Sequence, residues 1–160
     1  MTAFPGDNPG VVARPPLIYL AALLVAFAMQ RLWPMPIFAR ATAIGLGALA
    51  ALAGIAIAVW GWRTMRAVGT NVDPTLPSTA IVTSGPFRFS RNPLYLALTL
   101  LYLGISVAFD SWWGLIGLIP LLLVMHWGVV LREERYLEAK FGDQYRKYKM
   151  KVARYLPGVG

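Results

Sequence analysis

Apolar residues fill four stretches of the chain, and polar residues concentrate between these stretches and after the last one. The stretches cover residues 17–33, 41–62, 94–109 and 114–131. At a helical rise of about 1.5 Å per residue, each approaches the roughly 30 Å of a bilayer's hydrocarbon core, and the third, at about 24 Å, is the shortest. The pattern therefore predicts an all-α, polytopic membrane protein with about four transmembrane helices.

The intervening polar residues divide the chain into five segments. Residues 132–154 are polar and aromatic with helical spacing, which predicts an amphipathic helix on the membrane surface. Asn92 is a favourable N-cap and Pro93 suits the first position of the helix that follows, so we expect the third span to begin there. The segments are a disordered or interfacial N-terminal arm (1–16), two transmembrane helices (17–62), an interfacial connection (63–93), a transmembrane hairpin (94–131) and a C-terminal helix with its tail (132–160).

Composition agrees with a membrane protein and excludes several kinds of site. Hydrophobic residues make up 58% of the 160 residues and charged residues 14%, whereas soluble domains carry about 25% charged residues. There is no cysteine and one histidine, which excludes disulfides and thiol catalysis and argues against a metal centre. The net charge of +8 lies beside apolar helices, so anionic lipid is a better partner for it than nucleic acid.

Charge also predicts orientation. Four spans place both termini on one side of the membrane, and every Lys and Arg except Arg31 and Arg40 falls on that side. By the positive-inside rule this side is cytosolic, which predicts a multi-pass protein of a cell inner membrane with both termini in the cytosol. Gly45, Gly47 and Gly54 allow a close helix neighbour in the second span, and they leave the oligomeric state open.

Two adjacent carboxylates, Glu133 and Glu134, follow the fourth span. Neighbouring side chains on a helix point about 100° apart, so we expect one of the two to face the bundle and the other to face headgroups, a neighbouring arginine or the C-terminal helix. One interpretation is a solvated helix end that forms local ion pairs with the neighbouring arginines. The other is that one carboxylate binds the cationic group of a ligand whose anionic group meets Arg88 or Arg91.

His126 and Tyr95 each allow two interpretations. An ionisable residue inside a span is a functional-site hypothesis, but a neutral imidazole bonded to a carbonyl or a tyrosine would also explain His126. Tyr95 lies one helical turn after Asn92 and either faces a ligand or belongs to an interfacial aromatic belt.

The order and spacing of five motifs over residues 64–158 resemble the isoprenylcysteine carboxyl methyltransferase family and the related phospholipid N-methyltransferases. The motifs are Gly85-Pro86-Phe87-Arg88, Arg91-Asn92-Pro93-Leu94-Tyr95, Arg132-Glu133-Glu134-Arg135-Tyr136-Leu137, Phe141 to Tyr148, and Arg154-Tyr155-Leu156-Pro157. The resemblance implies that residues 64–158 bind S-adenosylmethionine at the cytosolic membrane face. It also implies methyl transfer to a lipidic or small amphipathic acceptor.

The resemblance, together with the motifs above, gives two sets of site residues. The candidate catalytic residues are Arg91, His126, Glu133 and Glu134. The candidate cofactor-binding residues are Arg88, Asn92, Pro93, Tyr95, Glu134, Tyr145 and Tyr148, and no metal site is expected. Asn92 stands where the family commonly has histidine, and because an amide does not titrate, a proton-accepting role would have to come from another group such as His126.

The acceptor stays open at this point. A carboxylate or thiolate acceptor needs no general base, whereas a protonated amine needs one. A second interpretation is a non-catalytic membrane scaffold that binds anionic lipid or a partner protein, which predicts that Glu133 and Glu134 tolerate alanine. A transporter subunit is disfavoured, because only His126 and Gln30 are polar well inside the spans.

Overall fold

The computed structural model describes residues 7–156, and within that range the chain is helical and contains no strand. Three helical stretches are long and apolar enough to cross a membrane, and α3 is apolar but shorter, with 16 residues. The predicted all-α architecture is thus confirmed. The helices are α1 (Pro15–Leu32), α2 (Arg40–Val68), α3 (Pro93–Ala108), α4 (Trp112–Met125), α5 (Leu131–Phe141) and α6 (Asp143–Lys151), with a 3₁₀ turn (Gly85–Arg88) before α3 and a π-helical turn (His126–Val130) between α4 and α5.

The helices α2 and α3 pack closely along a row of glycines. Gly47, Gly54 and Gly61 recur at seven-residue intervals on one face of α2 and are buried. A Cβ atom at Gly54 would lie 2.7 Å from the carbonyl oxygen of Ala97 on α3, which is closer than real Cβ atoms come. The expectation of a close helix neighbour is therefore met within the chain at Gly47 and Gly54, whereas Gly45 has open space beside it.

A core of buried side chains joins α1, α3 and α4. It is formed by Tyr19, Tyr102, Leu121, Met125 and Val129. The two tyrosine hydroxyls find partners inside it: that of Tyr102 donates to the carbonyl of Gly114 at 2.9 Å, and that of Tyr19 lies 2.7 Å from the hydroxyl of Thr99. Pairing these hydroxyls removes the cost of burying them.

A polar cluster lies at the end of the bundle where a short turn connects α3 to α4. Asp110 adopts a left-handed backbone conformation with φ of 53°, and its carboxylate accepts hydrogen bonds from the backbone N–H groups of Ile37 and Phe38. Gln30 donates to the Asp110 carbonyl and accepts from the Met35 N–H group. We call this cluster, together with Ser111, the α3–α4 clamp.

The first described residues run along α5 at the opposite end. The carboxylate of Asp7 accepts hydrogen bonds from Lys140 and Tyr136, and the Val12 N–H group donates to the Gly128 carbonyl in the π-helical turn. Residues 7–14 thus form an ordered strap rather than a disordered arm, and they lie at the same end of the bundle as α5. Residues 1–6 of the predicted arm fall outside the described part.

The C-terminal region differs from the single surface helix expected over 132–154. The last span continues through the π-helical turn into α5, and the chain breaks at Gly142, whose φ is 54°, before α6 begins. The break turns α6 back, so that Tyr145 and Tyr148 are buried. The correction has a sequence cause, since glycine adopts this positive φ at little cost.

Candidate functional site

A polar cavity lies where the start of α3 meets α5 and α6. Its walls come from the end of α2, the connection that follows, the first turn of α3, and both C-terminal helices. It encloses about 90 Å³. The residues that line it and were predicted from the sequence are Arg91, Asn92, Pro93, Tyr95, Glu133, Glu134, Tyr145 and Tyr148.

Glu134 is the electrostatic centre of this cavity. Its carboxylate is buried, with 7% of the side chain exposed, and it accepts two hydrogen bonds of 3.0 Å from the guanidinium of Arg154. Arg91 approaches the same carboxylate, with Nη1 3.1 Å from Oε1. Two cations therefore share one buried anion, and their combined charge exceeds that of the carboxylate.

Arg91 is buried but its hydrogen bonding is incomplete. Only 8% of its side chain is exposed, and its Nε and Nη1 atoms have no hydrogen-bond partner. In the described part of the chain, these atoms and the hydroxyl of Ser106 are the buried side-chain polar atoms without one. A guanidinium presents five N–H donors in a fixed plane, and this one, which lines the cavity, has donors on Nε and Nη1 that form no hydrogen bond. An anionic ligand group would satisfy them.

Glu133 lies on the same cavity wall and faces α3. The hydroxyl of Tyr95 donates to Glu133 Oε2 at 2.7 Å, which fixes this carboxylate at the start of α3. Glu133 thus faces the bundle, whereas Glu134 faces the arginines of the α3 start and the C-terminal region, and both carboxylates line the cavity. The angle of about 100° between neighbouring side chains on α5 directs Glu133 towards Tyr95 and Glu134 towards Arg154.

Asn92 is the N-cap residue of α3 by position, but its side chain does not cap the helix. Its amide instead donates to the carbonyl of Arg154 at 3.0 Å, and the neighbouring Ser90 hydroxyl donates to the same carbonyl. The backbone N–H group of Arg91 adds a third link, to the carbonyl of Ala153. The predicted capping bond is therefore absent, and Asn92 holds residues 152–155, which we call the C-terminal segment.

Two buried tyrosines of α6 complete the wall. Tyr148 donates a 2.6 Å hydrogen bond to the carbonyl of Phe87 in the 3₁₀ turn, and Tyr145 has 2% of its surface exposed. Burial raises the pKa of both phenols above the ordinary value near 10, so both stay protonated at physiological pH. They act as neutral walls and hydrogen-bond donors.

Two predicted residues lie elsewhere. His126 does not line the cavity; its Nδ1 atom lies 2.7 Å from the hydroxyl of Tyr155, which ties the C-terminal segment to the π-helical turn. Arg88 is exposed, also outside the cavity lining, and its guanidinium stacks over the ring of Phe89 at 5.0 Å. A direct role for either residue stays a prediction.

Arg154 was missed as a site residue, although its charge dominates one side of Glu134. The double hydrogen bond to Glu134 raises the pKa of this guanidinium further, so Arg154 remains charged. Arg154 belongs to the terminal motif Arg154-Tyr155-Leu156-Pro157. The spacing of this motif does not reveal that the chain folds back onto α5, where Arg154 contacts Glu134, twenty residues earlier in the sequence.

Comparison with known proteins now adds to the geometry. The model of a family described as phospholipid methyltransferase matches residues 42–144. An uncharacterized protein of Haemophilus influenzae is 43% identical to this chain over 63 residues, which is 39% of this chain and the whole of that protein. No solved structure matches the chain. The matched range contains nearly all of α2, α3 to α5, and every polar residue that lines the cavity except Tyr145 and Tyr148 of α6.

Proposed function

The chain belongs to the phospholipid methyltransferase family, and on that premise we propose that it transfers the methyl group of S-adenosylmethionine to the amine of a membrane lipid. Its apolar helices and its family make it a multi-pass membrane methyltransferase. The cofactor, the acceptor and the residues that act on them belong to the proposal, which rests on the polar cavity at the start of α3.

The incomplete hydrogen bonding of Arg91 beside Glu134 is the observation that carries the proposal. The amino-acid end of S-adenosylmethionine carries a carboxylate and an ammonium group. The unused N–H donors of Arg91 suit the carboxylate, and Glu134 suits the ammonium, since charge-assisted hydrogen bonds to buried groups are the strong ones. Tyr145 and Tyr148 would enclose the rest of the ligand, with Asn92 and Pro93 at the mouth of α3. Residues 64–158 thus form the proposed cofactor-binding region.

Binding requires the cavity to widen. Ligand pockets for molecules of this size measure about 300–1,000 Å³, several times the 90 Å³ enclosed here. The C-terminal segment is the element that can give way, because Arg154 and the ligand's ammonium group compete for Glu134. Departure of Arg154 would leave Glu134 free to accept the incoming cation, so binding and opening are coupled.

Glu133 decides which acceptor fits best. The bound cofactor supplies an electrophilic methyl group for in-line displacement. A lipid ammonium must lose a proton before it can attack, and Glu133, held by Tyr95, is the carboxylate placed to accept that proton. A carboxylate or thiolate acceptor needs no such base. This contrast favours an amine over a carboxylate or thiolate, in keeping with the family's description.

The side of the membrane follows from charge. The strap and α5 contact each other at the cavity end, which agrees with both termini lying on one side. The cations beside the cavity make this the cytosolic side of an inner membrane under the positive-inside rule. The anionic lipids of that leaflet would bind the same cations.

Methyl transfer to defined lipids tests the proposal. Purified protein in nanodiscs receives S-adenosylmethionine labelled in the methyl group, with either phosphatidylethanolamine or a prenylated cysteine as acceptor. We expect label in the aminolipid and little in the carboxylate acceptor, and Glu134→Gln should abolish it. Label in the carboxylate acceptor alone would overturn the choice of acceptor, and absence of cofactor binding would overturn the enzyme class.

A further inference from the structure

An apolar groove lies beside the polar cavity. Its volume is about 660 Å³, and its walls are the start of α1, the second half of α2, the connection after α2, and the start of α3. Several of its side chains are large, apolar and exposed, including Leu17, Val59 and Trp62. Exposed apolar residues on a membrane-spanning helix face lipid, so the groove is open to the hydrocarbon chains of the bilayer.

The groove and the cavity share a wall. Val72, Leu94 and Tyr95 line both spaces. The Tyr95 hydroxyl is bonded to Glu133, the proposed proton acceptor. A chain lying in the groove therefore has its head beside the site where the methyl group would be transferred.

One ion pair lines this otherwise apolar groove. Arg14 Nε lies 3.1 Å from Asp73 Oδ2, and both residues contribute to the groove wall. Arg14 is the last residue of the strap, directly before α1, and Asp73 lies in the connection after α2. The pair thus joins two separate segments across the polar end of the groove.

The two partners differ in how firmly they are held. Asp73 Oδ1 accepts hydrogen bonds from the hydroxyl and the N–H group of Thr75, at 2.7 and 2.9 Å, which fix its carboxylate. The hydrogen bond from the Thr75 hydroxyl has the largest influence and lowers the pKa of Asp73. The Thr75 N–H group and Arg14 lower this pKa further, so Asp73 is ionised at neutral pH. The Arg14 side chain is 61% exposed. Exposed ion pairs contribute little to stability, so this one can exchange partners at small cost.

We infer that the Arg14–Asp73 pair is a headgroup gate that selects lipids carrying an anionic group next to an amine. This inference rests on the proposed function, because it assigns a gate to the proposed acceptor. Arg14 exchanges Asp73 for the lipid phosphate, and Asp73 exchanges Arg14 for the lipid ammonium. A lipid with an anionic head and no amine leaves Asp73 without a cationic partner. The selected amine then passes along Tyr95 to Glu133.

Lipid retention tests the gate without using activity. Wild type and Asp73→Asn are equilibrated with phosphatidylethanolamine and phosphatidylglycerol of identical chains, and native mass spectrometry counts the retained lipids. We expect wild type to prefer the aminolipid and Asp73→Asn to lose about three- to tenfold of that preference, as for one ordinary hydrogen bond at a partly exposed site. Asp143→Asn, which removes an exposed carboxylate far from the groove, is the matched control and should keep the preference.

Kinetics separate a gate from a structural link. Arg14→Gln should raise the KM for the aminolipid about three- to tenfold while kcat changes little, and Arg63→Gln, an exposed arginine of α2 outside the groove, should change neither. The exchanged pair Arg14→Asp with Asp73→Arg should recover part of the selectivity. Unchanged lipid preference and KM in Asp73→Asn, with only a lower unfolding temperature, would overturn the gate. Cofactor binding measured in the same samples keeps this failure distinct from failure of the proposed function.

Discussion

Both ends of the helical bundle carry buried polar groups, but the hydrogen bonding of these groups differs between the two ends. At the α3–α4 clamp, Gln30 and Asp110 bond to each other's chain segments and to backbone groups nearby. At the other end, the side chains of Arg91 and Glu134 are buried, yet Arg91 keeps unused donors and Glu134 attracts two cations. Polar groups that satisfy one another's hydrogen bonds stabilise a turn, whereas a buried charge with unsatisfied hydrogen bonds indicates a place for a ligand.

The energy of burial explains why this difference is informative. A buried polar group without a partner costs about 1–3 kcal/mol, and a charged one more. Ser106 bears this cost as one neutral hydroxyl, but Arg91 bears it as a cation beside the proposed reaction site.

Glu133→Gln should have the largest effect on turnover. Glutamine keeps an oxygen that can accept from Tyr95, but it cannot take a proton from a lipid ammonium. We expect kcat to fall about 10²- to 10⁴-fold with cofactor affinity nearly unchanged, in a labelled-methyl assay with titration calorimetry. Tyr95→Phe, which keeps the carboxylate, should lose much less. Equal turnover in wild type and Glu133→Gln would remove the general base from the account.

Glu134→Gln should have the largest effect on stability. It leaves Arg91 and Arg154 facing each other without a counter-charge, and breaking a buried ion pair costs about 3–5 kcal/mol. Thermal unfolding in detergent, followed by circular dichroism, measures the loss. Glu138→Gln is the matched control, because this exposed carboxylate pairs with Arg146 and Lys149 on the surface and should change little. Similar unfolding of both variants would show that the Glu134 pair is not the centre of the site.

Asp110→Ala should lower the stability of the α3–α4 clamp and leave the cavity end of the bundle unchanged. It removes the acceptor for the N–H groups of Ile37 and Phe38, which we expect to cost about 1–2 kcal/mol. Cofactor affinity measured on the folded protein should stay within about twofold, because sites this far apart behave additively. A large drop in affinity would mean that the clamp and the cavity are one coupled unit.

Alkaline pH should loosen the cavity end first. The pKa values of Tyr145 and Tyr148 are raised in the folded protein, so the folded state keeps phenolic protons that the unfolded chain gives up above about pH 10. Their contribution to stability is complete below that pH and falls as pH rises towards the folded values. Hydrogen exchange of α6 from pH 8 to 11 should show this loss, and Tyr148→Phe should reduce it. Exchange that rises equally at the clamp would contradict the assignment.

The sequence predicted the fold well because its main signals are local. The four apolar stretches are continuous in the sequence, and the helix start at Asn92-Pro93 is formed by two adjacent residues. Gly142 carried a similar local signal, but the surface helix expected over 132–154 passed through it. The bend there decides that Tyr145 and Tyr148 are buried.

The site was predicted less completely because its key contacts are distant in sequence. Arg154 reaches Glu134 across twenty residues, and Asn92 reaches the Arg154 carbonyl across 62. The motif spacing placed Arg91, Tyr95 and both glutamates in one region, but it could not show that the Asn92 amide would hold the C-terminal segment instead of capping α3. Arg14 and Asp73 had no motif, so their pairing emerges only from the folded chain.

Two adenosine ligands distinguish binding of the amino-acid end at Arg91 and Glu134 from binding of the nucleoside alone. S-adenosylhomocysteine carries the amino-acid end proposed to meet Arg91 and Glu134, whereas 5′-methylthioadenosine lacks it. Calorimetry on wild type should show S-adenosylhomocysteine binding about ten- to a hundredfold more tightly, and Arg91→Gln should remove most of that difference. Equal affinity of wild type for both ligands, or a preference that survives in Arg91→Gln, would contradict the account.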